Sequence, residues 1–122
     1  MPTKTFTEGT HTAEHLLEEA NSKRSREQGT LASGNHLPGT VLALNSAGNY
    51  VQLAPAAEDS TSTAVAVLYA GVDATDSPKP CVVNARDCTV HGVMLTWPAA
   101  ATEEQIATGT EELAEQHVII RD

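Results

Sequence analysis

At 122 residues the chain can enclose one hydrophobic core but has no room for a split active-site architecture. Its formal charge of −9 is uneven: residues 1–30 carry four bases against five acids, and residues 31–122 carry three against eleven. A body of that sign repels phosphate backbones, which are bound when Lys and Arg displace counterions, so the balance argues against DNA or RNA as partners.

Residues 2–11 hold too few apolar side chains to offset their ordering entropy and are expected to be mobile in isolation, an arm kept for a partner, with Phe6 its only large apolar anchor. The stretch Met1-Pro2-Thr3-Lys4-Thr5 lacks the apolar core of a signal peptide, and no apolar run reaches membrane-spanning length. A soluble protein made in the cytoplasm is expected. Next comes Thr12-Ala13-Glu14-His15-Leu16-Leu17-Glu18-Glu19-Ala20, in which the adjacent leucines fit only a short helix over 13–20, capped by Thr12 or Thr10. The basic cluster Ser22-Lys23-Arg24-Ser25-Arg26 reads as a solvated linker. Gly29, Gly34 and Gly39 neither follow a strand nor open a helix as a phosphate loop requires, and read as turn glycines.

From Leu31 the chain is Val/Ala/Thr-rich and punctuated by Gly and Pro. Thr40–Leu44 and Tyr50–Leu53 flank the polar loop Asn45-Ser46-Ala47-Gly48-Asn49, which predicts a β-hairpin. Ala64–Tyr69, Cys81–Ala85, Thr89–Val90 and Met94–Trp97 read as further strands, separated by Asp73–Pro80, Arg86-Asp87 and His91-Gly92. Trp97, one of four aromatic residues, is expected to supply much of the aromatic burial, and Pro98 to stop its strand. Thr102 followed by Gln105 is a capping box, and Glu103 and Glu104 suit the positive end of a helix dipole. A helix over 103–116 follows, weakened by about 1 kcal/mol by Gly109. Val118-Ile119-Ile120 closes the chain as a strand. The fold class is mainly β with one C-terminal helix.

Candidate chemistry is thin. Cys81 and Cys88 with His91 give Cys-x6-Cys-x2-His, which lacks both the short cysteine pair and the fourth ligand of a structural zinc site; both thiols read as small buried hydrophobes. Pairing Cys88 with His91, or Cys81 with His36, brings no nucleophile elbow, oxyanion loop or orienting group with it. Glu103-Glu104 and Glu111-Glu112 fall on a helix surface as solvated charge. No catalytic residue, cofactor or metal is expected.

The ordered set of signals is more specific than any one of them. Gly-Thr-Val-Leu-Ala-Leu (39–44), Gly48-Asn49-Tyr50-Val51, Pro55-Ala56-Ala57-Glu58-Asp59, Ala66-Val67-Leu68-Tyr69, Val72-Asp73-Ala74 and Leu95-Thr96-Trp97-Pro98 before a capped helix resemble the bacteriophage head decoration proteins of the lambda type. Phe6-Thr7-Glu8-Gly9, His11, Glu14, Leu16-Leu17, Glu19-Ala20-Asn21, Ser25-Arg26 and Thr30-Leu31-Ala32-Ser33-Gly34 are similar to the longer-armed relatives. The resemblance runs from about Thr5 to Arg121, although Asp59-Ser60 stands where relatives often carry Asp-Gly.

The resemblance implies a small β-barrel-like, β-tulip domain over 31–122 behind an extended capsid-binding arm with a short helix over 1–30. Thr5, Phe6, Thr7, Glu8, Gly9 and His11 would make the capsid contact, and Trp97 and Pro98 would be structural. It implies a non-enzymatic homotrimer on the outer surface of the virion. The trimer would clamp the major capsid protein of a tailed phage at three-fold and quasi-three-fold sites of the expanded head, against DNA pressure and without nucleic acid or membrane. Two other readings stay open on residues alone: a free-standing β-rich module binding carbohydrate or an adaptor through Trp97 and Tyr50, and a small Cys-dependent hydrolase.

Overall fold

The computed structural model describes residues 12–19 and 24–121, and among these it contains ten strands and one α-helix. The arm residues Thr5, Phe6, Thr7, Glu8, Gly9 and His11 lie outside the described residues. Five strands close into a barrel: β2 (Arg26–Leu31), β5 (Tyr50–Gln52), β4 (Val41–Leu44), β6 (Ala66–Leu68) and β8 (Lys79–Asn84), in that spatial order, with β8 returning antiparallel to β2. A three-stranded sheet joins β1 (Leu16–Glu19), β9 (Cys88–His91) and β10 (Val118–Arg121), and a ribbon pairs β3 (Gly34–His36) with β7 (Val72–Ala74). The helix α1 (Glu103–Glu115) lies between β9 and β10 in the chain, and its crossover allows those two strands to run parallel.

Side-chain alternation explains how a chain this short builds two cores. Along β4, Val41 and Ala43 enter a cluster with Leu53, Val67, Cys88, Val90, Leu95, Leu113 and Val118, while Leu42 points the other way, to Leu31, Tyr50, Ala66, Leu68, Cys81 and Val83. On β6, Ala66 and Leu68 join the second cluster and Val67 the first. Both strands are therefore buried on both faces, which is why they read as uninterrupted apolar runs.

The hairpin forms as its loop predicts. The Asn45 side chain accepts from the backbone N–H of Ala47 at 2.9 Å and Asn49 at 3.0 Å, and Gly48 takes a φ of 83°. The C-terminal helix also forms where expected. Thr102 Oγ1 accepts the Gln105 N–H at 3.2 Å and Gln105 Oε1 accepts the Thr102 N–H at 2.9 Å.

Several expectations are corrected. No helix runs through 13–19: residues 12–15 turn, Ala13 has a φ of 61°, and β1 follows, antiparallel to β9. A left-handed residue breaks a helix at its start, and a strand suits adjacent leucines better, with Leu16 against the core and Leu17 outward at a bulge. Met94–Trp97 is not a strand; Gly92–Met94 is a 3-10 turn and Thr96 makes a single bridge to Thr40. Gly29 is no turn residue but sits inside β2, where the Tyr50 ring covers it so closely that a Cβ would lie 2.5 Å from that ring. The cluster read as a linker is structured from Arg24 onward: Ser25 is buried and Arg26 opens β2. Strands β1 and β2, drawn from the segment assigned to the arm, are woven into the three-stranded sheet and the barrel.

Candidate functional site

Where the N-terminal segment joins the fold, a chain of polar side chains fastens it. The Ala13 N–H donates to the Tyr69 carbonyl at 2.9 Å, and the His91 N–H donates to the His15 carbonyl at 2.7 Å. The His15 ring is fully buried, with Nε2 at 2.8 Å from Asn84 Oδ1. From β1, Glu19 accepts two hydrogen bonds from Arg26, at 2.9 and 3.0 Å, a further one from the Ser25 hydroxyl, and one from Asn84 Nδ2 at 3.4 Å. The Arg26 guanidinium lies over the Tyr69 ring, 4.3 Å from its centroid.

Electrostatics follow the geometry. The paired Arg26 guanidinium holds the Glu19 carboxyl below its ordinary value, an effect only partly opposed by burial. Burial pushes the His15 ring the other way, towards the neutral form, and the neighbouring Asn84 and Glu19 offset this in part. Around this core the surface pairs are ordinary: Arg24 with Asp87 at 3.4 Å, and Arg86 with Glu27.

Trp97 and Pro98 lie on the other side of β9 in the chain, beside α1. The Trp97 ring rests on Gly109, and a groove of about 320 Å³ is lined by Gly92, Val93, Trp97, Ile106, Thr110 and Ile120. Val93 is the most exposed large apolar side chain among the described residues, at 72%. The Pro98 carbonyl accepts the Ala101 N–H at 3.0 Å, turning the chain into the Thr102 cap.

The residues of the competing readings are not brought together. Tyr50 is buried in the barrel cluster, whereas Trp97 packs on the other, so they do not form one aromatic platform. Cys81 and Cys88 likewise fall in different clusters; both are free thiols, and burial raises both, Cys88 to about 11. A thiol held protonated at neutral pH is a packing group rather than a nucleophile. Among the described residues no three His, Cys, Asp or Glu side chains are grouped to hold a metal ion, and no helix is long and apolar enough to cross a membrane. Of the four helix glutamates read as solvated, Glu112 instead reaches Ala64 and accepts its N–H at 3.0 Å.

The polar cluster had one visible signal in the sequence: Asn84 interrupts the apolar run Cys81-Val82-Val83, and a buried amide demands a partner. Its partners, 65 and 69 positions away in sequence, had none. The family model of the bacteriophage lambda head decoration protein D matches residues 5–118 of the chain. No curated protein matches it.

Proposed function

The chain belongs to the bacteriophage lambda head decoration protein D family, and from that premise we propose that it decorates the expanded head of a tailed phage as a trimer at three-fold and quasi-three-fold positions. Membership implies a structural, non-enzymatic role on the phage capsid. In the finer reading the domain sits on the outer surface and ties neighbouring major capsid subunits together against the pressure of packaged DNA. Thr5, Phe6, Thr7, Glu8, Gly9 and His11 make the capsid contact by adding a strand to an exposed edge, with Phe6 filling a pocket.

The observation that carries the reading is the extent of the family match, which takes in the segment from Thr5 as well as the barrel. One structural feature supports it, and a trimer would add to it. The Glu19–Arg26–Ser25–Asn84 cluster anchors the segment to the barrel, so a load applied ahead of Thr12 is passed to a closed sheet rather than to a loose tail. Three copies acting together raise the effective concentration of each arm and multiply weak contacts.

The test uses undecorated expanded heads. Protein lacking residues 2–11 should fold and remain soluble yet bind heads poorly when the mixtures are imaged, and Phe6→Ala should lose part of the binding. Undiminished binding by the truncated protein would overturn the arm's role.

A further inference from the structure

His15 enters the fold through a polar contact that leaves one of its atoms unanswered. Asn84 Nδ2 donates to Glu19 Oε2, which orients the amide, so Asn84 Oδ1 faces the ring. That oxygen can only accept, and His15 Nε2 must therefore carry the ring proton. Nδ1 is left unprotonated, buried and without a hydrogen-bond partner among the described residues. A second proton would go to Nδ1 and create a buried charge with an unsatisfied donor.

We propose that His15 is a proton-sensitive latch on the root of the N-terminal segment: neutral, its ring stays buried beside Asn84 and holds β1 in place, and protonated at Nδ1 it becomes a buried charge with an unanswered donor that lets β1 part from β9. The charged surroundings set how the latch responds. From β1, Glu19 favours the protonated ring, but Arg26 on β2 holds that carboxylate in a two-bond ion pair. From β8 comes the neutral Asn84 amide, and β9 meets His15 through the His91 backbone N–H, while the Ala13 turn rests on the Tyr69 carbonyl. Desolvation outweighs the favourable neighbours and lowers the ring from 6.5. With the folded value below the open one, the stability supplied by the neutral ring is complete above 6.5 and is lost as pH falls towards the folded value.

The consequence for shell binding rests on the decoration reading, but the latch itself is tested on the free, full-length protein. Ring signals of His15 and hydrogen exchange at Leu16–Glu19 are followed by NMR from about pH 7.5 to about pH 5, in wild type and His15→Gln, with exchange corrected for its intrinsic pH dependence. In wild type, β1 opening should rise by up to about tenfold per pH unit below the open-state value and level off where the ring of the closed protein titrates. β10 should not follow, and His15→Gln should be flat. A ring that titrates at or above 6.5, or an equal response in His15→Gln, overturns the latch. Should that variant not fold, the wild-type profiles decide: exchange at β1 must rise between 6.5 and the ring's own midpoint and level off below it. Because no capsid is present, a failed latch leaves the decoration role to be judged by the truncation experiment alone.

Discussion

Replacing Gly109 by alanine should destabilise the protein, although alanine is the better helix former by about 1 kcal/mol. A Cβ at that position would lie 2.6 Å from Trp97 Cζ3, 3.0 Å from Cη2 and 3.7 Å from Leu53 Cδ2. Carbon atoms in ordinary contact stand about 3.5–4.0 Å apart, so the indole edge must retreat by roughly 1 Å. That shift disturbs the packing of Trp97 against the Val41–Leu53–Leu113 cluster. Overpacking of this kind costs about 1–3 kcal/mol, which against the propensity gain leaves a net loss of zero to about 2 kcal/mol. Urea denaturation of Gly109→Ala, Trp97→Leu and the double variant separates the two contributions. In the Trp97→Leu background the alanine should become stabilising by about 1 kcal/mol, giving a coupling of about 1–3 kcal/mol. An alanine that stabilises the wild-type background by its full helix propensity, with no coupling, would refute the account of why glycine occupies the middle of α1.

Glu19→Gln, which leaves Arg26 without its charged partner, should cost about 1–2 kcal/mol at neutral pH. Because the Glu19 carboxyl is lowered in the fold, its contribution is complete above 4.5 and disappears as pH falls through the folded value, so an acid titration of stability should bring variant and wild type together. Cys88→Ala should lose on the order of 1 kcal/mol in thermal or urea unfolding, because it leaves a small void beside Val90 and Val118, while head binding by the folded variant is unchanged. The proposed trimer would carry three chains of −9 each, so its contacts should be largely apolar and avoid the exposed Glu103, Glu104 and Glu111. Sedimentation across a physiological salt series should then show a trimer strengthened or unchanged by salt, and dissociation at higher salt would point instead to ion pairs between subunits.

The elements legible in the sequence are those whose causes are local. The α1 start rests on Thr102 and Gln105, three positions apart, and the hairpin on Asn45, whose side chain binds its own loop. Where a distant partner decides, the local pattern misleads. Leu16 and Leu17 look helical beside Glu14, Glu18 and Glu19, yet β9 supplies hydrogen-bond partners to this segment and Ala13 takes a conformation no helix tolerates. Gly29 looks like a turn until the Tyr50 ring, 21 positions on, is laid over it. β3 and β7 are three residues each and are rich in Gly, Asn and Asp, so only their mutual pairing makes them strands.

The same distinction applies to the candidate site. Nothing near Glu19 announces that its carboxylate will be shared by Ser25, Arg26 and an amide 65 positions away, and nothing near His15 announces its burial. Burying such groups is unfavourable unless each finds a partner, and a purely apolar join could hold β1 without that cost. A polar join differs in one respect: it responds to charge. A Leu at position 15 could seal β1 permanently, whereas His15, with one nitrogen satisfied by Asn84 and the other by nothing among the described residues, leaves the attachment dependent on a proton. On the proposal that the N-terminal segment meets a capsid edge while the barrel stays closed, the join between them is where an adjustable contact has the most effect.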